Sequence, residues 1–250
     1  MVDKSLRALK HMRGEGVLAV GVQGGYLGHT TAAARSLSGP GGTDPRFGYF
    51  DWPLIPHPAD GVDATLTALD DLVARHGAQH LLGVYLEAIQ RRTGRVLGAE
   101  AWTALCAWRD RTGVPLVLSE NVSGFYRAGR GRFWWVDGVA GHADLVLWWS
   151  GGQIGHVFSS DAAFVAKPLT LISTWDGDQL SATRLLHQMY AVDGDVVAAR
   201  GIQLARGLRE IGLNREERGG TGLYRVLRLG EYRASCQVYR VVPKSITVCL

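Results

Sequence analysis

The stretch Pro115-Leu-Val-Leu-Ser-Glu-Asn-Val-Ser-Gly-Phe-Tyr-Arg-Ala-Gly129 decides the fold. Its opening, residues 115–118, is a short apolar run and reads as a buried strand. Just upstream, Trp102, Leu105 and Cys106 fall on one face of a helix over residues 100–111, and Gly113 stops it. Before that helix, residues 81–86 form another apolar run. Strand, helix, strand with a crossover of this length makes the two strands parallel neighbours.

The same alternation extends in both directions. Residues 17–22 read as a strand that runs into the glycine-rich turn Gly24-Gly-Tyr-Leu-Gly28. Residues 38–61 hold most of the prolines and read as a long surface loop. A helix capped by Asp63 is expected through Arg75, with Leu66, Leu69, Leu72 and Val73 inward and Gly77 beyond its end. Downstream, 145–149 is a strand, 179–211 is mainly helical, and 224–229 and 237–242 read as strands of a smaller α+β segment. The expectation is an α/β domain over 1–200 and a shortened C-terminal subdomain over 201–250.

Composition bounds the function. The chain has 250 residues, 46% of them hydrophobic and 20% charged, which is ordinary for a globular protein. The net charge is +4, and the basic residues are scattered rather than gathered along one face, which argues against nucleic-acid binding. No apolar run is long enough to span a membrane, and the first residues lack a signal-peptide core, so the cytoplasm is the expected location. The three cysteines, Cys106, Cys236 and Cys249, are odd in number and widely spaced, and read as reduced thiols.

Three patterns suggest chemistry and do not sustain it. The glycines at 21, 24, 25 and 28 follow a strand but miss the G-x-G-x-x-G spacing of a dinucleotide site. His76 and His80 are four apart, yet Gly77 between them ends the helix a metal pair would need. Ser119 and Ser150 lack the G-x-S-x-G elbow of a hydrolase.

Read as a motif, Ser119-Glu-Asn-Val-Ser-Gly-Phe-Tyr-Arg-Ala-Gly129 resembles the D-E-V-Q-T-G-F-G-R-T-G stretch of class III, ornithine/acetylornithine-type, pyridoxal-phosphate-dependent aminotransferases. Glu120, Gly124, Phe125, Arg127 and Gly129 match. Leu86-Glu-Ala-Ile-Gln90 is similar to V-E-P-I-Q, Tyr26-Leu-Gly-His-Thr30 to Y-H-G-R-T, Ala143-Asp-Leu-Val146 to P-D-I-V, and Ser173-Thr-Trp175 to S-T-F. A late Tyr239-Arg-Val-Val-Pro243 echoes an R-x-x-P segment. The matches keep their order along nearly the whole chain. The implied fold is the large domain of fold type I, a mainly parallel, seven-stranded-like sheet between helices, with a shortened C-terminal subdomain.

The departures from the family carry the functional expectation. At the position of the Schiff-base lysine stands Ser150, which cannot form that bond. Ser119 replaces the carboxylate that holds a pyridinium, and Asn121 replaces the apolar residue under the ring. Residues 5–12 resemble the helix after the family's phosphate loop, so the resemblance implies a chain truncated before that point. Trp148 and Trp149 are expected to fill volume the cofactor would need. Tyr26 at the stacking position, Glu120, Asn121 and Thr174 are the expected remnants of a cofactor site, used in the chain or across an interface. No catalytic residue and no metal ligand is expected. The resemblance thus implies no tightly bound cofactor in the chain alone, with pyridoxal phosphate only at an interface with a partner. That partner would be a complete class III aminotransferase subunit, or a second copy of this chain. The alternative is a stand-alone pseudoenzyme or a protein that puts the old cleft to use for another ligand.

Overall fold

The computed structural model describes residues 1–39, 48–129, 131–149, 154–174, 176–213 and 218–227. Helix α1 (Val2–Arg13) leads into β1 (Leu18–Val22), the short α2 (Ala32–Ser36) and β2 (Leu54–Ile55). Then follow α3 (Val62–His76), β3 (Leu81–Glu87), α4 (Ala99–Thr112), β4 (Leu116–Ser119), β5 (Leu145–Trp149) and β6 (Gly155–Ser159). Helices α5 (Gln179–Ala191) and α6 (Gly194–Glu210) precede the hairpin β7 (Arg218–Thr221) and β8 (Tyr224–Leu227).

One sheet takes the strand order β2-β1-β3-β4-β5-β6. The first five strands run parallel, and β6 closes the edge antiparallel to β5. Every residue of β3 is buried, as a parallel strand covered on both faces requires. One face packs on α3 and α4 through Leu69, Leu72, Trp102, Leu105 and Trp108. The other packs on α1 and α2 through Val2, Leu9, Ala33 and Ala34. Ser5 of α1 and Tyr85 of β3 lock this second layer with a 2.9 Å hydroxyl–hydroxyl bond.

The expected fold class holds, with differences of detail. The sheet has six strands among the described residues, against the seven expected. The 38–61 segment is not all loop: Leu54 and Ile55 pair with Gly21 and Val22. Two residues carry no readable periodicity, so that strand exists only through its partner. Gly61, not Asp63, takes the N-cap of α3, and Asp63 sits in the first turn, where its charge suits the helix dipole. The glycine stops at Gly77 and Gly113 are as expected, both at positive φ. Helix α6 runs unbroken through position 200. The strand expected at 237–242 lies outside the described residues, as do Cys236 and Cys249; Cys106 is buried and unpaired. Among the described residues no helix is long and apolar enough to cross a membrane.

Candidate functional site at the carboxyl edge of the sheet

Parallel strands end together, and the crevice outside their carboxyl ends is where open α/β sheets hold ligands. Here the register lines up Glu87, Ser119 and Leu147 across β3, β4 and β5. The loops that follow carry most of the residues singled out in the sequence.

Glu87 is buried at the end of β3. Its carboxyl accepts from the Tyr26 amide at 2.8 Å and from the Arg91 amide at 3.1 Å. This closes the glycine-rich turn after β1 onto the loop after β3. Burial pushes its pKa up to about 7, against the pull of those amides and of Arg92 and Arg91. The Tyr26 ring is half-buried, with the Arg91 and Arg92 guanidinium carbons 4.7 and 5.0 Å from its centroid. Its hydroxyl bonds His29. Arg92 also donates to the Ser38 carbonyl at 2.9 Å. The ring at the expected stacking position thus lies against two cations of its own chain.

A titration follows from Glu87. In the fold it keeps its proton between its ordinary pKa of 4.5 and about 7, a range in which the unfolded chain has lost it. The folded state binds more protons there, so this group lowers stability as pH rises through that window. His57 slopes the other way: burial lowers its pKa to about 4, so its contribution is lost as pH falls from 6.5. The difference between wild type and Glu87→Gln isolates the carboxyl. Urea midpoints measured from pH 5 to 7.5 are expected to show wild type losing ground steadily to the variant; parallel curves would remove the assignment.

After β4 the chain turns sharply. Glu120 is buried, and its carboxylate accepts from the Ser123 hydroxyl and, at 2.9 Å, from the Val136 amide. Burial raises its pKa. Arg127 donates to carbonyl oxygens: Gly124 at 2.9 Å, Asn121 at 2.8 Å and Trp149 at 3.5 Å. Glu120 reaches it only through its field. Asn121 is half-buried, and its Oδ1 is enclosed without a hydrogen-bond partner.

Trp148 is 2% exposed, and Trp149 is 42% exposed. The Trp148 indole lies against Gly124, where a Cβ would sit 2.8 Å from Cδ1. It packs edge-on to Phe133 and Trp134 at 5.2 and 5.1 Å, and stacks on His156 at 5.2 Å. Of the two tryptophans expected to fill the edge, Trp148 does so, while the Trp149 ring turns largely outward. The ring cluster was not legible beforehand, although the doublets Trp134-Trp135 and Trp148-Trp149 signalled a large aromatic volume.

Thr174 is exposed, on a segment fastened to α1. Lys4 binds the Leu171 carbonyl and Asp176, and Arg7 binds the Thr170 carbonyl. Ser173 closes the turn on Asp176, with amide and hydroxyl bonds of 2.8 and 2.7 Å. Lys4 and Ser173 together hold the Asp176 pKa at about 2. Ser150 lies outside the described residues.

Among the described residues, the donor set at this edge does not fit a pyridoxal phosphate group. The Glu87 and Glu120 carboxyl groups are buried and engaged, Ser119 offers only a hydroxyl, and an indole occupies the space beside Gly124. Among the described lysines, Lys4 and Lys10 are bound elsewhere and Lys167 is exposed. Among the described residues no group of His, Cys, Asp and Glu is placed to hold a metal; His80 donates Nδ1–H to the His76 carbonyl at 2.6 Å.

Sheet order, helix layers and carboxyl-edge crevice define the fold type I architecture of pyridoxal-phosphate-dependent transferases, and solved structures agree. A lysine aminotransferase from M. tuberculosis in the internal aldimine form superposes with a TM-score of 0.77 at 18% identity, over 92% of this chain and 60% of that one. An (S)-enantioselective omega-transaminase from Thermomicrobium roseum gives 0.71 at 19% identity, over 93% and 58%. A transaminase from the marine bacterium Virgibacillus gives 0.71 at 16%, over 88% and 55%. The chain spans about 60% of the length of the first of these relatives. No family model and no curated protein matches the sequence.

Proposed function

We propose that the chain is a non-catalytic subunit with the aminotransferase fold, one that pairs with a complete class III aminotransferase and helps form that partner's site. The observation that carries this reading is the set of exposed apolar side chains on either side of Thr174 in the chain. Phe164, Leu169, Ile172, Leu180, Leu186, Met189 and Tyr190 are all exposed, Leu169 at 76% and Tyr190 at 87%. So many large apolar groups in one stretch of chain suit a protein–protein contact. Thr174 stands among them on a segment that Lys4 and Arg7 pin in place. In this reading Ser150 replaces the Schiff-base lysine, so the chain alone has no transaminase activity. Any pyridoxal phosphate is then anchored by the partner's lysine, with Thr174 offered across the interface.

The test is co-expression with a lysine-bearing class III aminotransferase from the same source. A stable mixed complex is expected, with pyridoxal phosphate absorbance only when the partner is present. Leu169→Asp combined with Tyr190→Asp is expected to dissociate it. A stable homodimer that ignores the partner, or transamination by the purified chain, would defeat the proposal.

A further inference from the structure

A second cleft lies between α6 and the β7–β8 hairpin. On α6, Ala198, Ile202, Ala205 and Arg209 recur at spacings of three, four and seven residues, so they share one face. That face looks across a cavity of about 360 Å³ towards Thr221 and Arg225. At the floor the backbones meet. A Cβ on Gly201 would lie 3.0 Å from the Gly222 carbonyl carbon, and one on Gly222 would lie 2.2 Å from the Arg127 carbonyl oxygen. Gly222 also takes a positive φ of 56°, which favours glycine there. The close approach fixes the hairpin against the helix, while the walls above stay apart.

Among the described residues the charges in this cleft are one-sided. Arg225 is half-buried, and its guanidinium plane is set by bonds to the Gly222 and Gly220 carbonyls at 3.2 and 3.0 Å. Arg209 enters from the last turn of α6. No described carboxylate pairs with either. Burial lowers the Arg225 pKa, and the fields of Arg218 and Arg209 lower it further. Two cations facing one cleft without a counter-charge among the described residues favour an anion. The walls between them are apolar, and Ile202 is 66% exposed.

We infer that this cleft binds a small organic anion, a carboxylate or phosphate ester carried on an apolar body. Arg225 is the fixed anchor and Arg209 the second contact, while Ala198, Ile202 and Ala205 receive the apolar part. The volume suits a single small ring or a short chain. The inference does not depend on the aminotransferase reading, since the residues assigned to the ligand lie on α6 and the hairpin and only Ala128 and Gly129 of the loop after β4 join the lining.

The test titrates the full chain by calorimetry with benzoate, phenyl phosphate and neutral benzamide at fixed ionic strength. At least one anion is expected to bind saturably, and benzamide at least about tenfold more weakly. The tighter anion identifies the head group. Arg209→Gln removes an exposed side chain with no described partner and is expected to raise Kd about tenfold. Ala205→Trp fills the cleft and is expected to abolish binding. Equal binding of benzamide, no saturable binding of either anion, or unchanged Kd in both variants would overturn the inference.

Discussion

Trp148→Ala is expected to lower the folding free energy by about 3–5 kcal/mol, the range for removing a fully enclosed large aromatic side chain. The ring is 2% exposed and touches neighbours on several sides: Phe125, Phe133, Trp134 and His156. Those neighbours come from the loop between β4 and β5 and from β6, so none is free to close the hole alone. Gly124 cannot help either, because it has no side chain to move inward. Trp148→Phe separates size from polarity. The indole Nε1 is buried without an acceptor, so the phenyl variant loses contacts but also removes an unsatisfied donor. Its loss is expected to be less than half that of alanine. Urea unfolding followed by far-ultraviolet circular dichroism measures both. A loss under about 1 kcal/mol for alanine would mean that the ring does not hold the edge closed.

The same ring shows what the sequence could and could not disclose. Its strand was readable because parallel strands covered on both faces are continuous apolar runs, as at Leu81–Glu87 and Leu145–Trp149. The helices between them were readable from spaced apolar residues and glycine stops at 77 and 113. Strands that borrow their order from a partner were not. β2 has two residues, β6 is an edge strand with no buried residue, and β7 reads Arg-Gly-Gly-Thr. Site positions were legible, and orientations were not. Glu120 was singled out by its motif, yet the direction of its carboxylate is set by the Val136 amide sixteen residues on. Glu87 holds its proton because the turn after β1 folds over it, which no local pattern encodes. Arg209 and Arg225 share a cleft only because the hairpin returns to α6.

Orientation also explains why the loop after β4 depends on Arg127. Phe125 and Tyr126 both take positive φ, 61° and 64°, a conformation that costs about 1–2 kcal/mol for each such residue. Something must hold two consecutive side-chain-bearing residues there. Arg127 is next in sequence, and its guanidinium spans the loop, bonding the carbonyls of Asn121 and Gly124 and reaching Trp149 on β5. Arg127→Met keeps most of the apolar stem and removes all three bonds. The expected loss is about 3 kcal/mol, since charge-assisted bonds to enclosed carbonyls are each worth more than neutral ones. Arg127→Lys is expected to recover less than half, because an ammonium cannot present a planar fork to several carbonyls at once. Hydrogen exchange distinguishes this from general destabilisation. The Tyr126 and Ala128 amides, bonded to Phe133 and Ser123, are expected to lose protection first. The Leu223 amide, bonded at 2.8 Å to the Arg127 backbone carbonyl, is expected to keep it, because the substitution leaves that oxygen in place. Uniform loss of protection across both regions, or a lysine variant as stable as wild type, would show that the loop does not rest on the guanidinium.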